Sequence, residues 1–171
     1  MMMSLNKIPQ PVIARVHGIA TAAGCQLVGA CDLAVASEDA RFATSGINVG
    51  LFCSTPSVPV SRNIPRKQAM ELLLTGEFID ANTALKWGLI NRIAPREKLD
   101  EEVQKLADAI LSKSSVAVFT GKKMFYNQLE KNMEDAYTFA GEIMACNMMA
   151  EDVNEGIDAF VKKRTAVWKG R

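Results

Sequence analysis

The 171-residue chain contains a single histidine, His17, and four scattered cysteines. Cys25, Cys31, Cys53 and Cys146 form no CxxC pair, and one imidazole cannot complete a zinc site, so no metal site is expected. The four cysteines read as buried free thiols in a reducing compartment. A nucleophilic Cys25 lacks a recognisable base beside it. The formal net charge is only +1, and no long basic run exists. That argues against a nucleic-acid partner or a charged membrane surface. No apolar run approaches the roughly 18 to 20 residues of a membrane span. The opening MMMSLNKIPQP is neither a secretory signal nor an Arg- and Ser-rich transit peptide.

What is present begins with Pro11-Val-Ile-Ala-Arg-Val-His17, which reads as a strand. Its apolar residues do not alternate cleanly, which predicts cover on both faces and a parallel sheet. Small residues then carry the chain from Gly18 into a short helix over residues 21 to 31. Strands are expected at residues 32–37 and 41–43. Residues 44 to 64 read as a long irregular segment, a type that is usually functional. Pro65 opens a helix that Thr75-Gly76 ends, and Asp80 caps a further helix that Gly88 stops. Residues 89–93 read as a strand.

From Lys98 onward the apolar period becomes helical, with Leu99, Val103, Leu106 and Ile110 on one face. Further helices are expected at about residues 115–130, 133–150 and 152–164. The Lys162-Lys163-Arg164 cluster reads as a solvated helix end that suits the dipole. The organisation is therefore α/β over residues 1–95 and all-helical over residues 96–171, within one domain overall.

The stretch GIATAAGCQL, residues 18–27, carries the candidate chemistry. A strand feeding a helix through small residues leaves backbone N–H groups open, as a backbone oxyanion hole requires. Small residues equally allow a helix to pack closely on a sheet. The spacing fits neither a dinucleotide loop nor a Walker loop.

In sequence order, PVIARVHGIATAAGCQLVGACDLAVAS, ARFATSGINVGL, AMELLLTGEFIDANTALKWGLINRIAP and EGIDAFVKKRTAVW resemble the crotonase, or enoyl-CoA hydratase/isomerase, superfamily. The resemblance implies part of a crotonase-like ββα spiral with a helical C-terminal section. It implies homotrimers, often paired as hexamers, and a mitochondrial role in fatty-acid metabolism. It implies a coenzyme A thioester as ligand, with its carbonyl held between two backbone N–H groups. One of these would come from Ala23. Phe160 would stand near the adenine and Lys163 near the CoA phosphates, often across to a neighbouring subunit. On the residues alone, Phe160 reads equally as a core anchor and Lys163 as a surface charge.

Two positions depart from the hydratase pattern. Where the family has acids that hold and activate water, this sequence has Gln26 and Gly46. A carboxamide is no general base, and glycine has no side chain. Ordinary hydration is therefore expected to be lost, leaving other oxyanion chemistry or non-catalytic acyl-CoA binding. Cys53, Ser54 and Thr55 are the poor substitutes nearby. The resemblance also implies roughly a hundred further residues upstream, which would hold the second N–H and much of the adenine pocket.

Overall fold

The computed structural model describes residues 1–171, which form two compact units. The first comprises residues 1–5 and 12–106, and the second residues 6–11 and 107–171. Helix α1 (Met2–Lys7) and helix α6 (Leu99–Leu111) each run from one into the other.

The first unit holds two small sheets. Strands β1 (Ile13–Val16), β3 (Leu33–Ser37) and β6 (Arg92–Ala94) form a parallel sheet in the order β1-β3-β6. Strands β2 (Ile19–Thr21), β4 (Arg41–Ala43) and β5 (Ile79–Asp80) form the other, with β2 and β4 parallel and β4 and β5 antiparallel. The parallel pairing expected of residues 11–17 is present. The expected double cover is not, because Arg15 is exposed and ion-paired with Asp100.

Helix α2 (Ala23–Ala30) bridges the sheets, followed in chain order by α3 (Ser54–Asn63), α4 (Arg66–Thr75) and α5 (Ala81–Trp87). The core gathers Cys25, Val35, Phe42, Val60 and Leu72, all almost wholly buried. The signals for α4 and α5 operate as their chemistry predicts. Asp80 accepts a hydrogen bond from the Thr83 amide at 2.7 Å, and Gly76 and Gly88 close their helices with φ of 64° and 89°.

The structure departs from the sequence expectations at three further places. Residues 44–64 are not irregular: Ser45–Val49 form a 3-10 turn and Ser54–Asn63 a helix despite two prolines. Pro56 lies in the first turn, where its missing N–H costs little. Pro59, deeper in, is compensated by packing. Gly29 of α2 faces it so closely that a Cβ there would lie 3.3 Å from the Pro59 ring, and Asn63 donates to the Gly29 carbonyl at 2.8 Å.

The last strand begins at Arg92 rather than residue 89. The Leu89 amide is already used on Ala84 to close α5, while Asn91 bridges to Ala34 through both amide and side chain. The chain also does not pass from Gly18 into the helix. Gly18, with φ of 79°, turns it into β2 of the second sheet first. Three residues are too few to read as a strand from their pattern.

The second unit consists largely of α7 (Ser115–Gln128), α8 (Met133–Asn147) and α9 (Glu151–Val161). Helix α8 buries none of its residues, and its Tyr137 and Met144, like Met148 just past its end, are at least half exposed. Cys146 on this helix is exposed and Cys31 half-buried, so only Cys25 and Cys53 fulfil the expectation of buried thiols.

Candidate functional site

The elbow is built on one strained residue. Ala22, between β2 and α2, has φ 48° and ψ −114°, the geometry of the first central position of a type II′ turn. Glycine is the residue that this position favours. The Ala22 amide donates to the Ala43 carbonyl at 3.1 Å, and the Ala22 carbonyl accepts the first helical bond, from Gln26, at 3.0 Å. The amides of Ala23, Gly24 and Cys25 thus precede the first i−4 bond of α2, and no side chain caps them. Ala23 is exposed. A Cβ on Gly24 would meet nothing nearer than the Ala20 side chain at 4.0 Å, so access is open at that point too.

Gln26 lies three residues beyond Ala23, hence on the same helix face. Gln26 is half-buried, and the Cα–Cβ bonds of a helix tilt towards its N-terminus, which here is the elbow end of α2. It offers both a donor and an acceptor but no titratable proton.

Gly46 lies in the 3-10 turn after β4. The place where its side chain would start is occupied: a Cβ there would lie 2.6 Å from the Leu51 carbonyl oxygen and 2.8 Å from Cys53 Sγ. The turn is anchored from below by buried Thr44, which donates to the Leu72 carbonyl at 2.7 Å. It is joined to the elbow by a 2.8 Å hydrogen bond between the Ser45 and Thr21 hydroxyls.

The nucleophile candidates are weak. Cys25 is wholly buried, and burial, with a smaller effect of nearby Cys53, pushes its thiol up to about 12. It is a neutral thiol at physiological pH. Cys53 is buried, and Ser54 donates its hydroxyl proton to the Phe52 carbonyl. No imidazole or carboxylate bonds to Ser54 or Thr55.

In the second unit, Phe160 is 84% exposed, so it is no core anchor. Lys163 lies just past the end of α9 with φ of 52°, a left-handed position for a residue with a side chain. Lys162 and Arg164 on either side are engaged with Asp158 and Glu155, so the basic cluster is partly ion-paired. Phe160 also edges an apolar cavity of about 650 Å³ walled by Val116, Val153, Ile157 and Trp168.

Sequence reasoning missed the buried carboxylate at Asp152, which is 2% exposed. It accepts hydrogen bonds from Ser114 Oγ at 2.6 Å and from the amides of Lys169 and Gly170 at 2.7 and 3.1 Å. The Ser114 bond, then the two amides, hold its carboxyl below the usual range. An acid in a helix first turn is the only local signal; the partners lie 17 to 38 residues away.

The family model described as enoyl-CoA hydratase/isomerase matches residues 1–171. The mitochondrial enoyl-CoA hydratase domain-containing protein 3 of Rattus norvegicus is 50% identical over 167 residues, which is 98% of this chain and 56% of that protein. A crystal structure of an enoyl-CoA hydratase from Mycobacterium smegmatis superposes with a TM-score of 0.96 at 56% identity, covering 98% of this chain and 65% of the other. The human enoyl-CoA hydratase domain-containing protein 3 structure gives 0.94 at 50% identity, covering 98% and 66%. The chain thus spans somewhat over half the length of the curated relatives it matches.

Proposed function

This chain belongs to the enoyl-CoA hydratase/isomerase family, and on that footing we propose that it recognises an acyl-CoA thioester without hydrating it. The Ala23 amide donates to the thioester carbonyl oxygen, where negative charge develops when the acyl group is attacked or deprotonated. Phe160 and Lys163, supplied to a neighbouring subunit, meet the adenine and phosphate end of the coenzyme A bound there. The protein acts as a homotrimer or hexamer in mitochondrial fatty-acid metabolism, a setting supported by the names of its mitochondrial relatives.

The observation that carries the absence of hydration is the closed space at Gly46. Both positions that bear acids in family hydratases are uncharged, and one has no room for a side chain of any kind. A general base must reach the attacking water and accept its proton. Gln26 can hold a water through its carboxamide but cannot take a proton from it.

A second reading is a non-catalytic oligomer partner. It is favoured by the exposed apolar residues of α8, which a single copy leaves uncovered.

Calorimetric titration with butyryl-CoA, paired with a hydration assay on crotonyl-CoA, tests the first reading. Binding without turnover supports it. Rapid hydration overturns it and points to a base elsewhere. Absence of binding favours the partner reading.

A further inference from the structure

We propose that Thr21 and Ser45 are positioning residues that hold the Ala22–Ala23 peptide in the orientation that aims the Ala23 N–H outward. The inference rests on the oxyanion reading for its use, but not for its geometry.

The Ala23 N–H belongs to the same rigid peptide plane as the Ala22 carbonyl. Its direction is therefore set largely by ψ of Ala22, which is −114° at a φ of 48°. For an L-residue this is a costly combination, of order 1–3 kcal/mol. At this φ the relaxed left-handed value of ψ is about +47°. A full turn of the peptide to that value would break the Gln26 bond to the Ala22 carbonyl and force Ala23, the first residue of α2, out of its helical φ. The direction of the Ala23 N–H is therefore decided by what holds ψ of Ala22 against smaller tilts towards relief.

Strain of this kind persists only where the surroundings over-determine it. Three bonds do so here. Gln26 holds the Ala22 carbonyl, and the Ala43 carbonyl holds the Ala22 amide. The third is the 2.8 Å bond between the Thr21 and Ser45 hydroxyls. It is the only side-chain restraint of the three, and both residues are half-buried. Ser45 is a firm anchor. It sits between Thr44, which is tied to Leu72, and Gly46, which is closed in by Leu51 and Cys53. Thr21 precedes the strained residue directly, so fixing its side chain fixes the entry to the turn.

The test reads the peptide orientation itself. Residual dipolar couplings of the Ala23 N–H are measured in the full chain, together with butyryl-CoA affinity. In Thr21→Val and in Ser45→Ala, the Ala23 coupling is expected to change while those of Val35 and Phe42 in the sheets do not. Affinity is expected to fall roughly tenfold, the range of one net hydrogen bond. Thr21→Ser keeps the hydroxyl and is expected to keep the wild-type coupling. Ala22→Gly removes the steric bias, so Thr21→Val combined with Ala22→Gly is expected to recover much of the coupling and the affinity. A hydroxyl with a merely general stabilising role would not be rescued in this way. An Ala23 coupling unmoved in both single variants, or no recovery in the double variant, overturns the proposal. Couplings that behave as stated in a protein that never binds butyryl-CoA uphold the positioning role and overturn the thioester reading instead.

Discussion

Gly46 and Leu51 close on each other. The Leu51 amide donates to the Gly46 carbonyl at 3.0 Å, and the Leu51 carbonyl oxygen lies 2.6 Å from where a side chain on Gly46 would begin. A side chain therefore cannot be introduced at this position without displacing the Leu51 backbone. Gly46→Glu is expected to destabilise the fold by about 1–3 kcal/mol, the usual range for forced overpacking. Gln26→Glu, at a half-buried helical position, is expected to be tolerated. The double variant should show no gain in crotonyl-CoA hydration, and urea unfolding should report the loss from Gly46→Glu alone. Hydration regained at wild-type stability would mean that the turn reopens easily.

Ala22→Gly is expected to stabilise the chain. Relief of 1–3 kcal/mol of backbone strain outweighs the roughly 0.5–1 kcal/mol entropic cost of glycine. The net gain, about 1 kcal/mol, is read from the urea midpoint.

Lys163 combines a left-handed backbone with the role proposed for it at the coenzyme A phosphates. Lys163→Gly should therefore raise stability by up to about 1 kcal/mol while weakening CoA binding. The affinity difference between CoA and its 3′-dephospho form should shrink in the variant if the ammonium contacts that phosphate. An unchanged difference removes Lys163 from the site.

Asp152 and Glu155 give the second unit an acid-sensitive hold on the chain's last residues. Arg164 first, then the Val167 amide, draw the Glu155 carboxyl down to about 2, while Ser114 and two amides lower Asp152. Depressed carboxyls favour the folded state above their unfolded values, near 4. That contribution disappears as pH falls through the folded values. Stability should be flat above about pH 5 and decline from about pH 4 towards pH 2. Asp152→Asn, less stable at pH 7, should lose less on acidification. Thermal melts of both proteins between pH 7 and pH 3 make the comparison.

Thiol reactivity should follow burial and charge. Cys146, exposed on α8, should alkylate first with iodoacetamide at neutral pH. Cys25, buried and held near 12, should stay unmodified until the chain unfolds. Peptide mass spectrometry over a time course distinguishes them, and early labelling of Cys25 would mean that the elbow opens.

The elements legible in the sequence are those whose signals are local. Asp80, Gly76 and Gly88 mark helix ends through their own backbone geometry, and the structure keeps all three. The four motifs in order identified the family. Helix α3 was hidden because Pro56 and Pro59 oppose it locally, and what sustains it, Gly29 and Asn63 against Pro59 and α2, is tertiary. Strand β2 was hidden because a three-residue strand has too few residues to display a period. At the candidate site, the small residues and the uncharged Gln26 and Gly46 are legible in the sequence. The sealed space at Gly46 and the strain at Ala22 are not, because they depend on Leu51, Cys53 and Ala43 returning to the elbow.

The all-parallel pairing of β1, β3 and β6 has a consequence for how the chain is made. No hairpin can nucleate that sheet, since each strand must wait for a crossover. Val35 to Ser37 cannot meet their β6 partners until residue 94 has been synthesised. During that interval the exposed side of β3 is an open edge able to capture another nascent strand. Slowed elongation between residues 38 and 91 should therefore lower soluble yield during translation, even though the finished chain is unchanged.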